Sequence, residues 1–291
     1  MNASTASTVQ GGESNLWTEV LGRLRQNRAA VISAILLSLM ILLVLFGPVL
    51  SPHSYDYADF ASVSEPPSAD YWFGTDAVGR DLLVRTLHGG RVSLMVGLVS
   101  TIVSLVFGIT VGAIAGYFGG RIDGLLMRMV DILYAMPFMF FVILLMVFFG
   151  RHIFLIFIAI GAITWLDMAR IVRGQTLSLK STEFVDAARL LGVPDLTIIR
   201  RHIVPNLLGI VAVYATLTIP RVILVESFLS FLGLGIQEPL TSWGALVSEG
   251  SKELQSAPWM VLFPATFLAL TLFCLNFLGD GLRDALDPKD R

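Results

Sequence analysis

The chain has 291 residues, of which 55% are hydrophobic and only 14% charged, and its mean hydropathy is +0.76. Such a composition excludes a water-soluble domain and fits a polytopic membrane protein, whose solvent is mostly lipid. The formal net charge of −2 implies no nucleic-acid partner, and in a membrane protein the placement of charge says more than its sum.

The first residues, 1–13, are rich in Ser, Thr, Gly and Asn and are expected to be disordered. Over 14–27, Leu16, Trp17, Val20, Leu21 and Leu24 recur at helical spacing beside Arg23, Arg25 and Arg28. This pattern predicts an amphipathic helix in the inner membrane interface, so residues 1–28 form a cytoplasmic tail with that helix. A first transmembrane helix follows over 29–50. It is long enough to cross and shows no small-residue cleavage site after it, which fits a retained anchor instead of a signal peptide.

Residues 51–91 form an extracytoplasmic segment rich in Pro, Asp, Tyr and Ser. Its acids, Asp56, Asp59, Glu65, Asp70, Asp76 and Asp81, do not have EF-hand spacing. The preferred reading is a folded loop in which Arg80 and Arg85 pair with neighbouring acids while Trp72 and Phe73 sit at the interface.

Five further apolar stretches, 92–118, 125–149, 153–168, 207–232 and 259–278, complete an all-α, six-span bundle, with a core over 92–279 and a cytoplasmic tail over 280–291. In the second span Ser100, Ser104, Gly108, Gly112, Gly116 and Gly120 recur at every fourth position. Small residues let helix backbones approach closely in lipid, so this ridge marks tight bundle packing or a moving or intersubunit surface. Because four residues advance about 400°, the ridge winds and can meet more than one neighbour. Gly150-Arg151-His152 predicts a tight hairpin between the third and fourth spans. With both termini cytoplasmic, fourteen of the twenty Lys and Arg residues lie inside, as the positive-inside rule favours. The single cysteine, Cys274, lies within the last apolar run. It is expected to be a packing residue, with no disulfide framework or thiol metal site.

The long cytoplasmic loop over 169–206 is the most informative segment. Ser181 or Thr182 can cap a helix whose first turn carries Glu183, Gly192 can follow its end, and Pro194 can open a second short helix. Phe184, Ala187, Ala188 and Leu191 share one face by spacing, a small-residue notch suited to entering a partner's cleft. Asp186, Arg189, Arg200 and Arg201 are placed to fix register at its rim.

This loop resembles the signature of bacterial ABC importer permeases, E-A-A-x3-G-x9-I-x-L-P. Here Asp186-Ala187-Ala188 is followed after three residues by Gly192 and after nine more by His202-Ile203-Val204-Pro205. Asp replaces Glu, His replaces the first Ile and Val replaces Leu. The resemblance extends from about 27 to 291. Phe73-Gly74-Thr75-Asp76 with Gly79-Arg80-Asp81, Trp165 to Gly174, Glu226 to Gly235 and Asp280 to Pro288 are similar to C-type permeases of oligopeptide and dipeptide importers. The resemblance implies a type I importer permease fold in the bacterial inner membrane. It also implies a homologous B-type permease, two cytoplasmic ATPase subunits that bind ATP and magnesium, and an extracytoplasmic binding protein that delivers peptide. On this reading Glu183, Asp186, Ala187, Ala188, Gly192, Arg201, His202 and Pro205 form the ATPase-coupling loop.

No cofactor or metal is expected in this chain itself. Its nearest approach to a phosphate-binding loop, 174–181, has Leu179 where the tight turn needs Gly. His53, His88, His152 and His202 form no catalytic pair. Among ionisable residues near membrane depth, Asp131 and Asp167 are expected to cap helix ends or to pair with Arg128 or Arg170. Arg221 and Glu226, too far apart to share a face, either line a translocation pathway or pair with other helices or the second permease. Pro220 can kink their span. Glu238 and Trp243 would face the delivered peptide, the binding protein or the partner permease. The alternatives are a dipeptide or other small-solute importer and, further off, a proton-coupled carrier using Asp131, Asp167 and Glu226 as relays. A membrane scaffold would account for the loop but not for the buried charges.

Overall fold

The computed structural model describes residues 16–150 and 153–286, and among them every regular element is helical apart from an isolated bridge between Thr75 and Asp81. The expected disorder of 1–13, the Arg151-His152 part of the hairpin and the end of the C-terminal tail lie outside these residues. Helix α1 (Leu16–Gln26) packs beside the C-terminal part of the last helix, with Val20 buried and Leu21 exposed, as an amphipathic segment requires. Helix α2 (Arg28–Leu50) starts at Asn27, whose side-chain oxygen accepts from the Ala30 amide at 3.2 Å.

Helix α3 (Leu82–Phe118) begins ten residues before the expected span. Asp81 accepts from the Leu83 and Val84 amides and so caps it early, which confines the folded outer loop to 51–81. Of the two aromatics expected at the membrane interface, Phe73 packs inward, stacked on Phe263 with centroids 3.9 Å apart, while Trp72 is exposed. Helix α3 ends at Gly119, where φ is +64°.

The expected third span is broken. Helices α4 (Gly120–Ala135) and α5 (Phe138–Phe149) meet at 86°. Pro137 forces the break, because its ring pushes the preceding Met136 out of helical geometry to ψ 130°. Among the described residues, five helices are individually long and apolar enough to cross a membrane, and the bent pair supplies a sixth crossing if taken as one span. Helix α6 (Ile153–Leu179) runs past the expected end at 168 and takes in the first third of the predicted coupling loop. Gly150, at φ +85°, turns the chain ahead of it.

After α6 come α7 (Glu183–Leu190), α8 (Asp195–Ile198), a π-helical turn (Ile199–Ile203), α9 (Val204–Phe231), α10 (Trp243–Ser251) and α11 (Trp259–Leu286). Helix α9 continues through Pro220, and α11 continues through residues assigned from sequence to the tail. Cys274 is buried beside Leu37, Ile223 and Leu275, a packing residue.

The seam between α3 and α6 is the most extensive helix contact. Ser100 donates to the Phe157 carbonyl at 3.3 Å. A Cβ placed on Gly108, Gly112 or Gly116 would lie 2.5 Å from Met168 Cβ, 2.5 Å from the Ala169 carbonyl oxygen and 2.7 Å from Thr176 Cβ respectively. From Ser100 to Gly116 the ridge therefore meets one neighbour, not several, because α6 wraps along it; Gly120 stands in open space.

Candidate functional site

The predicted coupling loop is built on two helix ends. Thr182 stands at the N-cap of α7 with extended backbone, but its hydroxyl donates back to the Leu179 carbonyl at 2.6 Å and makes no capping bond to α7. At the other end Gly192 adopts φ +74°, the Gly192 amide donates to Arg189 and the Val193 amide to Ala188, which together close a Schellman motif. Pro194, predicted to open this helix as its first residue, is instead the N-cap of α8, which begins one position later at Asp195. Glu183 and Asp186 lie in the first turn of α7, where carboxylates favour the helix dipole.

The exposed face differs from the one drawn from spacing. Ala188 turns inward with Val185 to pack on Tyr117, Val172, Ile198 and Ile203, whereas Ala187 points outward. The notch is thus split. What faces outward is Glu183, Phe184, Asp186, Ala187, Leu190 and Leu191, with Leu190 89% and Leu191 82% exposed.

Arg189 is not free for a rim contact either. It pairs with Asp186 at 3.1 Å and lies 5.1 Å over the Tyr117 ring, while the Tyr117 hydroxyl donates to Asp195 at 2.6 Å. One tyrosine from α3 thereby holds both α7 and α8. Arg200 and Arg201 remain exposed, His202 is half-buried, and Pro205 sits in the first turn of α9. Having no amide hydrogen, Pro205 leaves helical carbonyls unpaired. The π-helical turn and the Asn206 side chain, which donates to His202 at 2.6 Å, satisfy that stretch.

Of the two pathway candidates, Arg221 and Glu226, the structure separates the pair. Arg221 is exposed and meets Asp167 of α6 at 3.2 Å. Glu226 is fully buried: Ser230 donates to it at 2.6 Å and Ser93 at 3.3 Å, so within this chain it ties helices and lines no opening. Asp131 pairs with Arg170 at 2.8 Å as expected, but Asp167 pairs with Arg221 instead of Arg128 or Arg170. Asp123 of α4 grips Arg173 of α6 through two contacts of 2.5 and 2.6 Å.

On the opposite side, the folded loop is clasped to the segment after α9. Asp76 accepts from Arg80 at 2.6 Å and from Arg85 at 2.5 Å, Arg85 reaches Glu249 at 2.7 Å, and Arg80 reaches Glu238 at 3.0 Å. Burial alone would raise the Asp76 carboxyl, but the Arg85 charge and the Arg80 and Val78 amides outweigh it and hold the group below its ordinary value. These ion pairs border a cavity of about 410 Å³ that opens beside Gln237 and Lys252. Trp243, expected to face the delivered peptide, the binding protein or the partner permease, is instead fully buried against Val44 and Leu87, its indole donating to the Thr86 carbonyl at 2.9 Å. Tyr117, Asp195 and Ser93 were not singled out from sequence. The sequence cue to Tyr117 is a hydroxyl-bearing aromatic next to Gly116 in the small-residue ridge.

Comparison with known proteins places this arrangement. Residues 108–291 match the family described as binding-protein-dependent transport system inner membrane component, and residues 15–67 match the N-terminal TM domain of oligopeptide transport permease C. The chain is 57% identical over 279 residues to the oligopeptide transport system permease protein OppC of Haemophilus influenzae, covering 95% of this chain and 90% of that one. Its identity to the Escherichia coli K12 protein of the same name is 56%, covering 100% and 96%. The dipeptide transport system permease protein DppC of Bacillus subtilis is 46% identical, covering 92% and 84%. A chain from inward-facing conformations of the MetNI methionine ABC transporter superposes with a TM-score of 0.56 at 20% identity, over 71% of this chain and 96% of that one, which shows a shared type I permease fold. The chain belongs to the family of binding-protein-dependent transport system inner membrane components, and within it to the C-type oligopeptide permeases.

Proposed function

We propose that this chain is one of two membrane subunits of an ATP-driven importer that carries oligopeptides into the cytoplasm. A B-type permease lies beside it, two ATPase subunits dock beneath, and an extracytoplasmic binding protein delivers cargo. Both termini face the cytoplasm. The observation that carries the docking role is the outward face of α7, where Phe184, Leu190 and Leu191 stay exposed on a helix pinned to the core by Val185, Ala188 and Tyr117. An exposed apolar face on a rigid support is what a partner's cleft requires.

ATP and magnesium belong to the partner subunits. In this chain the segment nearest to a phosphate loop begins as the last turns of α6, with its amides engaged in helix bonds and none gathered to cradle an anion. Oligopeptide cargo is favoured over dipeptide because the relatives at 56–57% identity are oligopeptide permeases, while in Bacillus subtilis the dipeptide and oligopeptide relatives stand nearly level at 46% and 44%. A proton relay finds no support, since Asp131 and Asp167 are paired with arginines and Glu226 is enclosed by hydroxyls.

Gly192→Trp tests the docking role. The left-handed backbone disfavours any side chain there, yet no atom lies within 4 Å of a built Cβ, so the indole projects outward. The complex is expected to insert with its second permease, lose bound ATPase in pull-down and lose ATP-dependent peptide uptake. Wild-type uptake by this variant would contradict docking at α7.

A further inference from the structure

Two ion pairs stand exposed on α9, α6 and α4, the first of them between two helices long and apolar enough to cross a membrane. Arg221 is 68% and Asp167 42% exposed, and their contact is a single hydrogen bond of 3.2 Å. At about 1.5 Å per residue, Arg221 lies about 15 Å from the Phe231 end of α9 and Asp167 about 21 Å from the Ile153 end of α6, two ends on the same side of the bundle. Measured from that side, both fall within a hydrocarbon layer about 30 Å thick, Arg221 near its middle and Asp167 toward its far side. One turn further along α6, Arg170 pairs with Asp131 at 2.8 Å, with side chains 41% and 66% exposed. The outward face of α3, by contrast, shows Met95, Leu98, Ile102, Val106 and Phe107, all apolar, as a lipid-facing surface should.

Charges at this depth face water or a polar partner, because hydrocarbon gives them nothing in return for their hydration. The strip alternates in sign, from Arg221 to Asp167 to Arg170 to Asp131, and sums to zero. Building on the importer reading, we propose that this strip of α9, α6 and α4 is the wall of a water-filled passage. On it a peptide in transit exchanges its charged groups, carboxylates at Arg221 and ammonium groups at Asp167. Exposed pairs are weak, so a passing charge displaces one partner at little cost. A strip of zero net charge holds neither sign for long, which passage requires.

The test uses the complete complex with its binding protein in proteoliposomes, comparing uptake of trialanine, triglutamate and trilysine at saturating binding protein. Arg221→Gln is expected to lower the triglutamate-to-trilysine uptake ratio roughly fivefold, and Asp167→Asn to raise it by a similar factor. That size follows from one unit charge at about 8 Å in a half-solvated site. A merely structural role moves all three peptides together. Equal losses, or an unchanged ratio in both variants, would overturn the strip while trialanine uptake left the importer reading intact. Failure of the unmodified complex to take up any of the three peptides with ATP would reject both readings. Independently, Thr218→Cys, one turn from Arg221 and partly exposed, is made with Cys274→Ala, which removes the chain's native cysteine. It should react with a membrane-impermeant thiol reagent in at least one nucleotide state. Protection in every state would mean lipid or the second permease covers this face, and would reject the passage.

Discussion

Replacing Gly112 by Ala adds a single carbon, and the structure sets what that carbon meets. Its Cβ would lie 2.5 Å from the Ala169 carbonyl oxygen, 2.8 Å from Val172 Cβ and 3.0 Å from the Arg173 amide nitrogen. Two of these are backbone atoms of α6 and cannot swing aside as a side-chain tip would. Ordinary contact begins near 3.4 Å, so the two helices must part by about 0.9 Å. A gap of that size forfeits about a quarter to a half of a dispersion well of about 0.1–0.2 kcal/mol per atom pair. Spread over roughly 40 atom pairs along the seam, the loss comes to about 2 kcal/mol, within the usual range for overpacking.

The control is Gly124→Ala. On α4 no atom lies within 4 Å of its built Cβ, and Ala there gains up to about 1 kcal/mol of helix propensity. The assay is the temperature at which half the purified complex is lost in detergent. Gly112→Ala should fall by about 4 °C or more, and Gly124→Ala should hold or rise. Equal midpoints for the two variants would refute the claim that α3 and α6 touch backbone to backbone.

The outer clasp predicts a pH dependence. Asp76 titrates below its ordinary value in the folded protein, so its contribution to stability is full above about pH 4 and is lost as pH falls through the lowered folded value. Thermal midpoints of the wild-type complex should drop on acidification in that range, and Asp76→Asn should start lower and show a flatter acid limb. Tyr117→Phe removes the 2.6 Å bond to Asp195, about 1 kcal/mol, and keeps the ring beneath Arg189. The complex should assemble normally but hydrolyse more ATP per peptide imported. An unchanged ratio of the two rates would show that the tyrosine only packs.

The spans were legible because about twenty apolar residues in a row have few other fates in lipid. Their limits were less so, because polar caps decide them. Asp81 starts α3 ten residues early, and nothing in a hydropathy pattern distinguishes it from the other acids of that loop. Gly192 was readable as a helix terminator, since few other residues accept its φ of +74°. The orientation of Ala188 was not. With Ala187 beside it, spacing fixes which residues share a face but leaves open which face turns inward, and Val185 with Tyr117 decides that through tertiary contact. The Arg221 partnership was out of reach for a similar reason: Asp167 is remote in sequence, and only the packing of α6 on α9 joins them.

The same contacts bear on how a load applied at α7 travels. The Schellman turn and Val185 join α7 to the core, Tyr117 ties both α7 and α8 to the end of α3, and the π-helical turn passes into α9 without a gap. A push on Leu190 and Leu191 therefore enters α3 and α9 together. Through its glycine ridge α3 is in near-backbone contact with α6, so α6 follows. The helices carrying Arg221 and Asp167 are then held to the same support, and their pair can persist while the unit rotates. The helical run breaks at Met136-Pro137, where α4 and α5 bend by 86°, and that break is a point at which the rest of the chain can turn against α5. Rigid-body rotation about a few such points is the usual form of alternating access. Here it needs no hinge within the coupling loop.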